Sequence, residues 1–344
     1  MFRVLVWLSW GVDSALAAYL LKKQWHEVIA GFMKNYISEK WNCTTYEDAK
    51  EAIKVAKFLW IKILSFDLQK EYSRKIIKYI YDGYKKWITP NPDILCNNLI
   101  KFDVFLKKAL KMWFDKIAMW HYAKIKENWK KFKLLRGKDK NKDQSYFLSW
   151  LDQFQLSKSL FPIWELTKPE VRKLAKKIWL PNADRKDSQG LCFIWNIPIR
   201  KFLELKLKKK IWNICDEKWK VVWKHDGARF FTIWQRHGLN LPFKAYVTKI
   251  DVKKNIVTVW KKESESLKWK KIKIWNRHRI GEKYPSPINV KAKIRYRQEL
   301  QLGKLVIKWK SANIIFQKNQ RAIAPWQSVV AYVKDECIGG GVIM

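Results

Sequence analysis

Along the first two-thirds of the chain, apolar and polar positions switch between a two-residue and a helical period. A short apolar run at Arg3–Leu8 leads through a polar loop into the helical pattern Ala15–Lys23. Glu27–Met33 reads as the next strand. A helix is predicted from about Thr45 to Phe58, with Thr44 and Glu47 spaced as a capping box. Ile61–Phe66 is a third strand, Asp115–Met119 a later one, and Leu99–Leu110 a helix. Strands separated by helices predict the α/β class, with a doubly wound parallel sheet and ligands at the carboxyl ends of its strands.

After about Arg200 the pattern changes to short β-type runs between turns. They are Arg229–Ile233, Ala245–Ile250, Ile256–Val259, Lys271–Ile274, Val290–Tyr296, Lys304–Lys308, Ala312–Phe316 and Ser328–Val333. Such spacing predicts an all-β tail made of one or two small barrels. The expected division is an α/β domain at 1–200, a small central domain at 201–270 and a C-terminal β-barrel at 271–344. The basic stretch Lys201–Lys210 is a candidate hinge or RNA-facing helix, against the ordinary reading of a solvated charged face.

Charge narrows the partners. The 344 residues carry 71 Lys+Arg against 31 Asp+Glu, a formal net charge of +40. A polyanion is the expected partner, although lysine spread along the whole chain also fits a compositional bias. Five scattered cysteines make no disulfide framework and no CxxC pair for zinc. The N-terminus MFRVLVWLSW lacks the marks of a signal peptide, and no apolar run is long enough to span a membrane. A cytoplasmic monomer is expected.

Composition adds an anomaly. There are 22 Trp and only 12 Gly, although glycine ordinarily makes up about 7% of a chain. Trp10, Trp129 and Trp219 stand in polar loop contexts where turn chemistry asks for glycine.

The loop Ser9-Trp10-Gly11-Val12-Asp13-Ser14 lies directly between a strand and a helix. Read with glycine at position 10 it becomes a phosphate cradle. Backbone N–H groups and a helix N-terminus hold phosphate oxygens, and the serine hydroxyls add donors. Asp13 would hold magnesium or orient pyrophosphate; the ordinary alternative is a capped strand–helix turn. Two cysteines sit in polar segments further on. Cys96 follows the proline-stiffened Thr89-Pro90-Asn91-Pro92-Asp93 turn, where a helix N-terminus would favour thiolate. Cys192 lies in Asp187-Ser188-Gln189-Gly190-Leu191-Cys192. Each alone is more often a buried apolar residue; two beside a nucleotide loop suggest sulfur chemistry.

With these segments the chain resembles the tRNA-specific 2-thiouridylases, the MnmA family, along nearly its full length. Further landmarks are Phe32–Asn35, Ala118–Tyr122, Lys142–Leu148, Phe161-Pro162, Glu165–Lys168, His225-Asp226-Gly227, Thr232–Arg236, Arg295-Tyr296-Arg297-Gln298 and Gly339-Gly340-Gly341. The resemblance implies a PP-loop ATP-pyrophosphatase domain followed by a small central domain and a C-terminal barrel. It implies ATP at Trp7, Leu8, Ser9, Trp10, Gly11, Val12, Asp13, Ser14, Met33 and Trp120, with Mg2+ accompanying the nucleotide and no fixed metal site. Cys96 would be the nucleophile and Cys192 the carrier of a persulfide sulfur, which a sulfur-donating carrier or cysteine desulfurase would supply. Contacts to tRNA would come from Asn91, Pro92, Asp93, His121, Lys142, Asp143, Gln144, Arg295, Tyr296 and Gln327. The implied reaction replaces the C2 oxygen of the wobble uridine with sulfur after ATP-dependent adenylation. Other adenylating pyrophosphatases, such as tRNA-lysidine synthetases or thiamine-type thiouridine synthetases, lack the paired cysteine segments. The non-enzymatic alternative is an RNA-binding paralogue with an impaired nucleotide site.

The departures from the family share one form. Trp10, Trp60, Trp87, Trp120, Trp164, Trp179, Trp195, Trp234 and Trp326 stand where the family pattern has glycine. Consistent replacement by one residue is what results when UGA codons that specify glycine are read as tryptophan. Met119, where the family usually has threonine, is a separate departure.

Overall fold

The computed structural model describes residues 1–35, 45–86, 88–186, 198–251, 253–260, 269–309, 311–321 and 323–344. The α/β domain begins with β1 (Arg3–Trp7), α1 (Val12–Lys23), β2 (Glu27–Lys34), α2 (Thr45–Phe58) and β3 (Ile63–Asp67). Thr44 of the expected capping box lies outside the described residues. Helical segments α3 (Gln69–Tyr72) and α4 (Lys78–Lys85) follow, joined by a wide π turn at Ser73–Ile77. The next rod runs from α5 (Pro92–Cys96) through the π-type stretch Asn97–Phe105 into α6 (Leu106–Lys111). It therefore starts seven residues before the helix expected at Leu99, because Asn91 caps it and Pro92 occupies its first position.

β4 (Lys116–Ala118) precedes a hairpin, β5 (Ala123–Asn128) and β6 (Lys131–Arg136). Then come α7 (Gln153–Ser157), β7 (Ser159–Leu160), α8 (Lys168–Lys177) and α9 (Ile199–Glu204). The sheet runs β3-β2-β1-β4-β7, parallel throughout. Strand order reverses between β1 and β4, which opens a crevice at their carboxyl ends. Core side chains fill both faces of this sheet: Leu5, Ile29, Phe102 and Phe105 on one, Val4, Val6, Leu16 and Ala18 on the other.

The central sheet comprises β8 (Trp212–Cys215), β9 (Val221–His225), β10 (Tyr246–Asp251) and β11 (Ile256–Trp260), in the order β10-β11-β8-β9. The strand expected at Arg229–Ile233 is instead a single 3-10 turn, Ala228–Phe230. Gly227 enters it at φ 145°, and the Asn255 side chain accepts from the Ala228 amide, so that backbone is diverted from any ladder. The basic stretch after Arg200 is only partly a solvated face, since Phe202 and Leu203 are buried and Tyr81 donates to the Phe202 carbonyl at 2.7 Å.

The C-terminal strands are β12 (Trp269–Arg279), β13 (Ile288–Lys293), β14 (Gln301–Ile307), β15 (Ala312–Gln320), β16 (Ser328–Val333) and β17 (Glu336–Ile343). Pairing of β12 with both β15 and β17 closes them into a six-stranded barrel. Gly339 permits the closure, because a Cβ there would collide with the His278 carbonyl oxygen. The β5–β6 hairpin, unread in the sequence, adds to this barrel through β6 and the start of β17. No helix among the described residues is long and apolar enough to cross a membrane.

Four helices end in the same way. After α1, Trp25 donates to Lys22 and His26 to Leu21; after α2, Trp60 donates to Lys57 and Ile61 to Ala56. After α6 the pairs are Trp113 to Leu110 and Phe114 to Ala109, and after α8 Trp179 to Lys176 and Leu180 to Ala175. This crossed pair is the Schellman motif, whose left-handed residue is ordinarily glycine. The four tryptophans hold φ of 62°, 52°, 62° and 59°, with 84–88% of their surface exposed. Trp129 and Lys130 form the two-residue tip of the β5–β6 hairpin, both at positive φ, in the conformation Asn-Gly ordinarily supplies. Of the thirteen non-glycine residues with positive φ among the described residues, eight are tryptophan.

Candidate active site

The crevice between β1 and β4 is built from the backbone outward. β1 delivers the chain to a loop that turns at Ser9–Gly11, and α1 begins at Val12. Ser14, buried in the first turn of α1, ties the loop shut. Its hydroxyl donates to the Gly11 carbonyl at 2.8 Å, lies 3.0 Å from the Ser9 hydroxyl and accepts from the Ser9 amide at 3.1 Å. Gly11 caps α1 with extended backbone and no side-chain hydrogen bond. The first amides of a twelve-residue helix therefore face the crevice uncapped, where the helix dipole favours an anion.

Asp13 follows the loop, in the first turn of α1. Its Oδ1 accepts from the Lys168 ammonium at 2.7 Å and from the Tyr122 hydroxyl at 2.8 Å. These contacts join α1, α8 and the residue just before β5. Among the described residues there is no group of three His, Cys, Asp or Glu side chains able to hold a metal ion.

Of the residues expected at ATP, Trp7, Ser9, Trp10, Gly11, Val12, Asp13, Ser14 and Trp120 line one cavity. Leu8 and Met33 are buried behind it, the Leu8 amide donating to the Gly31 carbonyl at 3.0 Å. The space is about 180 Å³, below the roughly 300–1,000 Å³ of ordinary small-ligand pockets. Indoles account for the shortage. Trp7 and Trp120 meet edge to face at 4.8 Å, and the Arg185 guanidinium lies 4.4 Å over the Trp10 ring. The rings stand beside the loop, the uncapped amides and Asn182, which donates to the Trp10 carbonyl at 2.9 Å.

Across the crevice lies the rod that begins at Pro92. The Asn91 side chain accepts from the Ile94 amide, and Asp93 and Cys96 follow one turn apart. Asp93 is partly buried, and loss of hydration pushes its carboxyl up to about 6, with the Lys101 charge pulling the other way. Cys96 is 2% exposed, packed with the α/β core rather than displayed at a helix start. Cys192, Trp87 and Trp195 lie outside the described residues.

The expected tRNA contacts divide. Lys142 and Gln144 line the cavity, with Gln144 accepting from the Tyr122 amide at 3.1 Å. Arg295 donates to the Arg321 carbonyl, and the Tyr296 hydroxyl donates to the Lys142 carbonyl at 3.3 Å. Gln327 donates to the Thr89 carbonyl at 2.8 Å, fastening the barrel to the Thr89–Asp93 turn. Asp143 differs: its buried carboxylate takes Arg136 at 2.9 Å and Lys293 at 3.5 Å, so it joins the α/β domain to the barrel from inside. His121 differs too. It is 3% exposed, stacked behind Trp120, and burial lowers its imidazole well below the ordinary range, leaving it neutral with Nδ1 unpartnered. Five residues lining the cavity were given no role in the sequence: Asn35, Lys101, Tyr122, Lys168 and Lys186. Lys168 had a legible signal, following Thr167 in a Thr-Lys-Pro-Glu capping box.

A parallel sheet with a phosphate loop at its switch point, a small central sheet and a closed barrel define a three-domain enzyme of the PP-loop, ATP-using class. Residues 2–196 match the family model described as the tRNA methyl transferase HUP domain. Residues 200–261 match the tRNA methyl transferase PRC-barrel domain, and 269–343 the aminomethyltransferase beta-barrel domain. The tRNA-specific 2-thiouridylase MnmA of Flavobacterium johnsoniae is 39% identical over 394 residues, covering 100% of both chains. That of Bacillus subtilis is 40% identical over 360 residues, covering 99% of this chain and 94% of its own. Among solved structures, the U34-tRNA thiolase NcsA of Methanococcus maripaludis aligns with 59% of this chain and 67% of its own, at 18% identity and a TM-score of 0.38. The chain belongs to the tRNA-specific 2-thiouridylase MnmA family.

Proposed function

We propose that the protein is an ATP-dependent tRNA-uridine 2-sulfurtransferase that converts the wobble uridine of its tRNAs to 2-thiouridine. One observation carries the reading: an uncapped helix start, closed by Ser9 and Ser14, shares a cavity with Lys101 of the rod that also carries Asp93 and Cys96. A carbonyl oxygen at C2 of uridine is a poor leaving group. Attack of that oxygen on the α-phosphorus of ATP breaks the bond to pyrophosphate, and the α1 amides receive the departing charge. Magnesium enters with the triphosphate as its counterion. The target base leaves its stack to reach Asn91-Pro92-Asp93, and the protonated form of Asp93 is suited to donating a hydrogen bond to it.

Sulfur then arrives as a persulfide on Cys192, loaded by a sulfur-donating carrier or cysteine desulfurase of the cytoplasm. In one route the terminal persulfide sulfur attacks C2, the C2–O bond breaks with release of AMP, and Cys96 then cleaves the remaining S–S linkage. In the other, Cys96 first attacks Cys192, releasing sulfide that attacks C2. Both leave a Cys96–Cys192 disulfide, which an external thiol reduces. Nucleoside mass spectrometry of unmodified tRNA incubated with the protein, ATP, magnesium and a persulfide donor tests the proposal. 2-Thiouridine that requires ATP is expected; ATP consumption without thiolated nucleoside would overturn it.

A further inference from the structure

Lys101 is a buried cation without a counter-ion. It lies in the π-type stretch of the rod, 8% exposed, and its ammonium points into the cavity that holds Ser9, Gly11 and Asp13. Nζ stands 4.6 Å from the Trp7 ring centroid and 5.6 Å from that of Trp120. Among the described residues it forms no ion pair and donates no hydrogen bond. Asp93, the acid on the same rod, feels its charge from beyond ion-pair range. The neighbouring buried cations are satisfied differently: Lys168 by Asp13, Lys293 by Asp143. An ammonium that meets only a narrow cavity, with no anion beside it, is less well solvated than one in open water, and indole faces offset only part of that. Without those rings, no group among the described residues offsets it.

Position selects the anion. Lys101 shares its cavity with the start of α1, whose amides suit pyrophosphate, and it lies eight residues after Asp93 on the same rod, near enough for its charge to act on that carboxyl. The group that must sit between pyrophosphate and base is the α-phosphoryl. We propose that Lys101 binds the α-phosphoryl group of ATP and keeps hold of it in the adenylated uridine and in AMP. The proposal rests on the sulfurtransferase reading and adds a residue to it. As the α-phosphorus–O2 bond forms and the bond to pyrophosphate breaks, the electron pair leaves on pyrophosphate and the uridine N3 proton passes to water. Lys101 neutralises charge on the non-bridging oxygens throughout. When sulfur displaces AMP, the C2–O electron pair leaves on the phosphate that Lys101 holds.

The test uses the full-length chain with Trp7→Gly, Trp10→Gly and Trp120→Gly, which clears the cavity, and builds Lys101→Met and Lys101→Arg in it. The probes are AMP and adenosine, compared by thermal shift, and pyrophosphate release with ATP and tRNA. The parent should be stabilised more by AMP than by adenosine. Lys101→Met should respond to both equally and melt no lower than the parent, since it removes an uncompensated charge. Its pyrophosphate release should fall about 100-fold or more, the usual cost of losing one charge-stabilising donor. Lys101→Arg should recover the preference for AMP. A parent that does not distinguish AMP from adenosine overturns the assignment. So does a Lys101→Met protein that keeps the preference, or one that melts lower while turning over normally, because Lys101 would then be only a pillar under the rings. A parent that prefers AMP through Lys101 yet leaves tRNA unthiolated would sink the sulfurtransferase reading and leave this one standing.

Discussion

Changing Trp25, Trp60, Trp113, Trp129, Trp179 and Trp219 together to glycine should stabilise the protein, contrary to the usual effect of six simultaneous substitutions. Each of these residues holds φ between 47° and 64° and exposes more than half its surface, so its indole contributes little packing. A bulky residue in the left-handed region costs about 1–3 kcal/mol. Glycine relieves that strain but adds freedom to the unfolded chain worth about 0.4–1 kcal/mol. The net gain is about 0.5–2 kcal/mol per site, or roughly 3–12 kcal/mol for six, against a typical total stability of about 5–15 kcal/mol. Urea unfolding of the two full-length chains measures it as a shift in midpoint at constant slope. The same six positions changed to alanine separate the causes, because alanine removes the indole and keeps the strain. A midpoint that stays put or falls in the glycine chain, or an equal gain from alanine, would refute the backbone argument. It would also remove the main physical support for reading these tryptophans as glycine. Peptide masses of the protein from its native source decide the coding question directly, since each Trp that is Gly lightens its peptide by a fixed amount.

Cys192→Ser should abolish thiolation while leaving tRNA affinity nearly intact, and thiolation retained in that variant rules out its persulfide role. Cys96→Ser should stop turnover; tRNA trapped as a disulfide adduct on Cys192, freed as 2-thiouridine by added thiol, selects direct persulfide attack, and absence of any adduct selects released sulfide. Binding of tRNA should weaken steeply with salt, with a log–log slope of about −0.7 to −0.9 per phosphate neutralised, and a flat dependence means that the +40 charge is only compositional. The folded state holds the Asp93 proton up to about pH 6 against an ordinary 3.8, so it binds more protons than the unfolded chain between those values. That contribution to stability is therefore greatest below about pH 4 and declines as pH rises through 6. Asp93→Asn should flatten this component of the urea midpoint measured from pH 4 to 7, and a component rising with pH would contradict the burial of Asp93.

The sheet and the phosphate loop were legible because both rest on local signals: short apolar strands, a serine-rich turn and a helix starting beside it. The β5–β6 hairpin was not, because its tip reads Asn-Trp-Lys-Lys where Asn-Gly would have announced it, and its strands carry five lysines and arginines among twelve residues. Arg229–Ile233 looked like a strand on apolar content alone, but a glycine at positive φ and a distant asparagine decide that backbone. Asp143 and His121 were expected at tRNA from the family resemblance, which says nothing of burial. Their burial depends on Lys293 of the barrel and on Phe102 and Phe161, which no local pattern brings near them. Lys101 was invisible among 71 basic residues, since an orphaned charge is recognised only when its surroundings are known.

The strand pairing between β6 and β17 bears on how such a chain can grow. First and last domains are stitched edge to edge, so their mutual placement does not depend on the segment threaded between them. The central sheet hangs on that frame as a side loop. Lengthening or trimming its turns should leave the crevice undisturbed. Cutting the chain after the α/β domain would instead strip β6 of its neighbour and bare an unpaired edge, inviting self-association. Material can therefore be inserted in the middle of this chain more safely than it can be removed from its end.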